Sequence, residues 1–338
     1  MANSETENIE TQRPSKLGGL ALKAVIVLGL VGALGYFIQG QITPDVDPDK
    51  TKEIVIKTSG NNDDPGSTDP AHPNESLNLP EGAITGNVTQ QLIDEADHPF
   101  DLLLDIAADG LKEIDRKYSD YTATLVSRVR TEGELRDEKY LHVKIRHEQK
   151  NSDSTINEPF SVYTKFLKPK ANVGQEAIWV KGENDGKLIA HATGLLNLKR
   201  LYFDPEGAIP MSGNRYPIYE IGFRNLLKKM IELGTKDKKH GECTVTLKRK
   251  VEINGRVCTV FEAVHPQKRE HFDFHIARIY IDDKLNIPIG YEGYLWPEKE
   301  GEDPPLLERY YYTEIKFNVG LTDADFDPGN EEYNYPSL

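Results

Sequence analysis

The sequence predicts a mainly β (α+β) fold: one large, curved antiparallel sheet with few helices. Three observations carry this. Residues 159–191 hold three apolar runs, 160–167, 176–180 and 187–191, separated by the turn-rich breaks 168–174 and 182–186. Valine, isoleucine and aromatic residues between Gly, Pro, Asn and Asp clusters mark adjacent antiparallel strands. Further segments on both sides of this meander alternate apolar and polar residues with period two, the mark of strands with one dry face. Only two segments of the folded part show helical spacing.

The chain divides by composition. Residues 1–16 are polar and residues 17–38 are apolar, with a single charge at Lys23. A helix of that length spans roughly 30 Å, the thickness of bilayer hydrocarbon. Arg13, Lys16 and Lys23 lie before or early in the run, and Asp45, Asp47 and Asp49 follow it. The positive-inside rule then puts a cytoplasmic tail at 1–16, a transmembrane anchor at 17–38 and the bulk of the chain outside. A cleaved signal peptide is the rival. Tyr36, Phe37 and Ile38 put bulky residues where a cleavage site wants small ones, so the anchor is expected to stay uncleaved. Residues 39–95 are acidic and rich in Pro, Asn, Gly and Thr, which predicts a disordered linker. The β domain is expected over 96–338. Much of the net charge of −14 sits in the linker, so the domain gives no reason to expect nucleic-acid binding.

Within the domain, Phe100, Leu103, Leu104, Ala107, Leu111, Ile114 and Tyr118 recur at helical spacing after Pro99. Gly110 weakens this helix by about 1 kcal/mol, so it needs a surface to lean on. It either packs on a sheet or plugs a groove. Residues 121–130 and 141–146 alternate as strands, and the basic row His142, Lys144 and Arg146 reads most simply as a solvated face, with docking of an acidic partner as the other reading. Residues 195–208 form a connection. A second helix is expected over 218–234, ending at Gly234. Strands follow at 243–253, 257–264, 272–281, 289–296 and 306–319, with Asn254-Gly255 as a tight hairpin turn. The tail, 321–335, is turn-rich and aromatic.

Chemistry is sparse. His142, His147, His191, His265, His271 and His275 invite a metal reading, but none forms a ligand-spaced pair with cysteine or another recognisable carboxylate pattern. No G-x-S-x-G nucleophile elbow occurs, and residues 182–186 are a turn between strands rather than a phosphate cradle, because no helix follows. No catalytic set, metal or cofactor is expected. Cys243 and Cys258 are the two cysteines. A two-residue hairpin at Asn254-Gly255 sets Val251 opposite Cys258 and leaves Cys243 roughly 26 Å away along the strand, so both thiols are expected to be free.

Three stretches carry a resemblance: 159–191; 277–297, ARIYIDDKLNIPIGYEGYLWP; and 313–335, with its Asn-Val-Gly-Leu-Thr-Asp run at 318–323, Asp325-Phe326 and Tyr333 or Tyr335. Together they resemble an uncharacterised family of planctomycete bacteria over residues 95–335. That family is similar, more remotely, to the lipoprotein carriers LolA and LolB and to an envelope-stress sensor domain. The resemblance implies a strongly curved, unclosed half-barrel with helices over its concave side. It transfers no functional residue.

These readings lead to a non-enzymatic binding module, tethered to the bacterial inner membrane through its N-terminal helix, with an extracytoplasmic domain. Its expected partner is a lipid or lipoprotein held in an apolar groove, with Phe166 and Trp179 as binding residues. The alternative is an envelope sensor or scaffold that binds another protein and no small ligand.

Overall fold

The computed structural model describes residues 54, 56–58, 100–194 and 197–337. The expected tail 1–16, the anchor 17–38 and nearly all of the linker 39–95 lie outside the described residues. Among the described residues no helix is long and apolar enough to cross a membrane. One described piece corrects the expectation for the linker: Ile56–Thr58 is a strand, β1, and Ile54 packs against the core.

The first helix, α1 (Asp101–Lys117), is followed by β2 (Asp120–Thr131), β3 (Glu134–Leu135), β4 (Lys139–Arg146), the small pair β5 (Gln149–Lys150) and β6 (Ile156–Glu158), and β7 (Ser161–Lys168). The expected meander continues as β8 (Glu176–Val180) and β9 (Leu188–Ala190). Then come β10 (Leu201–Phe203), a four-residue turn of helix, α2 (Ala208–Met211), and the second long helix, α3 (Phe223–Lys238). The chain ends with β11 (Thr244–Ile253), β12 (Arg256–Val264), β13 (Ile276–Asp282), β14 (Ile287–Tyr294) and β15 (Leu306–Phe317).

All but β5 and β6 belong to one sheet of antiparallel pairs, in the order β1-β11-β12-β13-β14-β15-β2-β4-β7-β8-β9-β10, with β3 beside β2. The sheet is not closed, since β1 and β10 are its two ends. The central pairing is β15 with β2, which zips the last strand to the first long one and so ties the two halves of the chain together. The Asn254-Gly255 turn forms as expected: Ile253 faces Arg256, and Asn254 and Gly255 have φ of 47° and 80°, the left-handed values that a two-residue hairpin turn demands. Val251 faces Cys258, and both cysteines are free. A bulge between Lys248 and Val251 distorts β11, and β1 pairs only with Val251–Ile253 on its near side.

One face of the sheet is covered by α1 and α3. Their buried side chains, including Leu103, Ala107, Ile114, Phe223 and Leu227, join Tyr121, Val143, Ile145, Phe261 and Ile279 of the strands in one large core. The surface that Gly110 leans on is therefore mainly the other helix. A Cβ at Gly110 would lie 3.3 Å from Leu227, and one at Gly234 would lie 3.0 Å from Leu104. Gly234 is thus inside α3, not its stop. A glycine signals both helix ends and close helix contacts, and here the contact is what it serves. The helix also starts later than expected, because Ile218–Glu220 is a separate 3-10 turn and Gly222, with φ of 125°, separates it from α3.

The other face corrects a second expectation. Lys144 and Arg146 of β4 do not face solvent. They take the acidic tail of the chain itself. Lys144 Nζ lies 2.8 Å from Asp325 Oδ1, and Arg146 Nη1 lies 2.7 Å from Asp323 Oδ1. Between these pairs Phe326, 5 % exposed, sits under the Arg146 guanidinium. Tyr333 stacks on Tyr163 at 4.4 Å between ring centroids. With Ile178, Val180 and Leu321 these residues make a second, smaller core. We call residues 321–335 the strap. Its hinge is fixed by Asp120, whose carboxylate accepts from the backbone N–H of Val319 and of Gly320. Two further differences are small: β10 arises within the expected connection, and β13 begins at Ile276 because Phe272 and Phe274 are instead packed around His265 in the preceding loop.

Candidate functional site

The alternation that makes β7 and β8 strands also places the two candidate binding residues. Ile145, Val162 and Trp179 face one another in register, as do Leu141 and Phe166, so Phe166 and Trp179 share the helix-covered face. They do not come together. Phe166 is half-buried against the main core. Trp179 lies four residues of β7 away, packed beside Phe160 and Tyr219 with ring centroids 6.0 and 5.3 Å apart. Its indole N–H donates to the Gly186 carbonyl at 3.1 Å, which fixes the ring. Phe261 and Phe274 are buried core residues.

An open cavity of about 510 Å³ lies at the end of the sheet toward which Phe166 is placed. Three separate parts of the chain build it. The end of β2 and its turn contribute Arg130, Thr131, Glu132 and Gly133. The segment before α3 contributes Asn214 and Arg215, and the β14–β15 side contributes Leu295 and Leu307. Each guanidinium is oriented from behind. Arg130 Nε donates to the Leu306 carbonyl at 3.0 Å and Nη1 to that of Gly133 at 2.9 Å. Arg215 Nε lies 2.8 Å from Glu308. Glu308 also accepts from the hydroxyls of Tyr216 and Tyr310, both at 3.1 Å. Burial holds the Glu308 carboxyl above its usual range, even with Arg215 and the two hydroxyls opposing the shift. Lys139 props the same segment, donating to the Gly213 carbonyl at 2.6 Å and to Asn214 Oδ1 at 2.8 Å. Burial, with Arg136 nearby, pulls the Lys139 ammonium down to about 8.

This arrangement can bind and orient an anion beside an apolar surface. Of groups able to act as nucleophile or general base, its lining holds Thr131 and Glu132, and the Glu132 carboxylate is paired with Arg136 at 2.9 Å. Among the described residues no three or more His, Cys, Asp or Glu side chains gather to hold a metal ion. The six histidines weighed as metal ligands lie outside this lining. His265, buried against Phe272, is pushed down to about 4 by desolvation, while Asp237 beside it is pushed up to about 6 by its own burial. Sequence reasoning missed the cavity because Arg130 and Arg215 carry no motif and are 85 positions apart; the strap was visible only as an aromatic, acidic tail.

The chain matches the family described as a protein of unknown function, DUF1571, over residues 118–335, and it belongs to that family. No curated protein is matched. Solved structures similar to it include the MucA/MucB complex of Pseudomonas aeruginosa, at 14% identity over 69% of this chain and 64% of that one, with a TM-score of 0.36. Lipoprotein LppX of Mycobacterium tuberculosis is similar at 11% identity over 67% and 100%, with a TM-score of 0.36. A LolA superfamily protein of Nitrosomonas europaea is similar at 12% over 65% and 97%, with a TM-score of 0.28.

Proposed function

We propose that the chain is a non-catalytic binding module of the bacterial envelope, held at the inner membrane by residues 17–38, with a curved half-barrel domain outside that takes an amphiphile with an anionic head. A lipid or the lipidated end of a polypeptide has that chemistry. The observation that carries this is the cavity with two fixed guanidinium groups, Arg130 and Arg215, beside Leu295 and Leu307. Its volume falls within the range of small-ligand sites, and a mixed lining of this kind sorts a charged head from an apolar chain. Phe166 lies on the face along which the chain of such a ligand would run, and Trp179 marks its far end.

Arg130→Gln is expected to weaken binding of a fluorescent fatty acid to the purified protein by about tenfold, with the melting temperature moved by no more than about 2 °C. An uncharged analogue of the same fatty acid should bind both proteins alike. Trp179→Ala should weaken either probe if the apolar chain reaches that far. Binding indifferent to Arg130 would sink the cavity assignment. A protein that binds neither probe would favour the second reading, a sensor or scaffold that docks another polypeptide. One observation favours that reading: the β4–β7 face already holds an acidic, aromatic segment, its own strap.

A further inference from the structure

The charges around the cavity do not balance. Arg215 is answered by Glu308 at 2.8 Å. Arg136, just behind the lining, is shared by Glu132 at 2.9 Å and Glu134 at 3.2 Å; these two carboxylate side chains are 87 and 77 % exposed, so water screens their charge. Arg130 and Lys139, both half-buried, have no such partner. Arg130 donates to the Leu306 and Gly133 carbonyls, and Lys139 to the Gly213 carbonyl and Asn214 Oδ1. Among the described residues no carboxylate pairs with either. Neutral oxygens orient a cation but do not cancel its charge. Burial and Arg136 accordingly lower the Lys139 ammonium, with no acid opposing them. The cavity is left with two unanswered positive charges. One is in the lining, and the other stands one hydrogen bond behind it, through Asn214.

The hydrogen-bond donors come from separate points of the rim. Arg215 Nη1 lies 3.4 Å from the Arg130 carbonyl, so the two arginines are neighbours. Thr131 Oγ1 accepts from Arg136 Nε at 2.8 Å, which leaves its own O–H to donate. A carboxylate offers two oxygens in one plane and one negative charge. A phosphate monoester offers three oxygens at tetrahedral angles and close to two negative charges at neutral pH. Leu295 and Leu307 give the first carbons of an apolar chain a surface beside such a head.

We infer that the cavity selects a phosphate monoester head on an apolar chain, a lipid phosphate, over the carboxylate of a fatty acid; the inference rests on the head-group reading of the cavity. Arg130 and Thr131 hold the phosphate oxygens. The Lys139 charge, behind Asn214, favours a dianion over a monoanion without touching it. Lys139 is thus a specificity-determining residue and Arg130 a binding one.

The test is displacement of a fluorescent fatty acid at about pH 7 from the full chain in phosphatidylcholine nanodiscs, with empty discs as the blank. The competitors are dodecyl phosphate, its methyl diester, dodecanoate and inorganic phosphate. Dodecyl phosphate should bind at least about tenfold more tightly than dodecanoate or the diester, because its head carries one more charge close to Lys139. Lys139→Gln can still donate to the Gly213 carbonyl but has no charge, and it should cut that preference to within about threefold. Equal binding of dodecyl phosphate and dodecanoate overturns the inference and leaves the head-group reading standing. Displacement by no charged competitor removes both. A preference unchanged in Lys139→Gln also overturns the inference, since a residue that only props its segment would weaken every ligand alike. Inorganic phosphate as tight as dodecyl phosphate overturns the lipid assignment in favour of free phosphate. Should Lys139→Gln fold poorly, the wild-type comparison of dodecyl phosphate with its methyl diester decides, because the two differ by one charge on the same head.

Discussion

Replacing Phe223 by alanine is expected to cost about 3–5 kcal/mol of unfolding free energy, the loss typical of deleting a fully buried aromatic ring. Phe223 is the first residue of α3 and is wholly buried. Its ring lies 4.5 Å from that of Tyr312 and 4.8 Å from that of Tyr121, with Phe317 beyond at 5.8 Å. These partners come from β15 and β2, the two strands whose pairing joins the halves of the chain. The backbone is fastened at the same point: the Phe223 N–H donates to the Tyr121 hydroxyl, and the Gly222 N–H donates to that of Tyr312, both at 3.0 Å. These hydroxyls fill the role of an N-cap, satisfying amides that the first turn of a helix leaves open. The alanine variant keeps those hydrogen bonds but loses the ring that holds the tyrosines in place. Urea unfolding would show a lower midpoint with little change in slope. Phe223→Leu should lose about 1–2 kcal/mol, because much of the volume remains. A cost below about 1 kcal/mol for the alanine would mean that α3 is not seated by this contact.

How much of this was legible in the residues follows from the length over which each signal acts. The alternation in β2 and β4 and the helical spacing from Phe100 to Ile114 are local, and so were plain. The Asn254-Gly255 turn fixes its own register, and with it the separation of the two cysteines. The faces of Phe166 and Trp179 followed from period two, but what lies over them is set by Ile218, Tyr219 and the helices, which periodicity does not reach. The strap is the clearest case of a hidden contact. Lys144 and Asp325 are 181 positions apart, and a basic row on a strand looks the same whether water or an acidic tail covers it. β10 and β1 have three residues each, too few for a periodic pattern, and exist because a neighbouring edge was free to pair with. The cavity draws on three distant segments, so no stretch of sequence announces it.

Arg278→Met is expected to cost a further large amount, about 3–5 kcal/mol at neutral pH, because it strands two buried carboxylates. Glu262 on β12, Arg278 on β13 and Glu292 on β14 stand in register across three adjacent strands, with side chains 3, 17 and 7 % exposed. Arg278 Nε is 2.5 Å from Glu262, and its Nη1 is 3.7 Å from Glu292. Burial alone would lower the guanidinium, but Glu262 and Glu292 hold it above its usual range. Glu292 is further answered by the hydroxyls of Tyr280, Tyr294 and Tyr311 at 3.0, 2.9 and 2.5 Å. Glu292 keeps these hydroxyls and has Arg309 opposite it on β15 as a further counter-charge, whereas Glu262 loses its 2.5 Å partner, so Glu262 is the carboxylate stranded more severely. Methionine keeps most of the arginine stem, so the change removes charge more than volume. Glu262→Gln added to Arg278→Met should recover part of the loss at neutral pH, since it removes one of the two stranded charges. Urea midpoints of the wild type, the single variant and the double variant at neutral pH measure this. A double variant no better than the single would mean that Arg278 acts through packing on the Tyr294 ring, 5.1 Å from its guanidinium carbon, and not as the counter-charge of the buried pair.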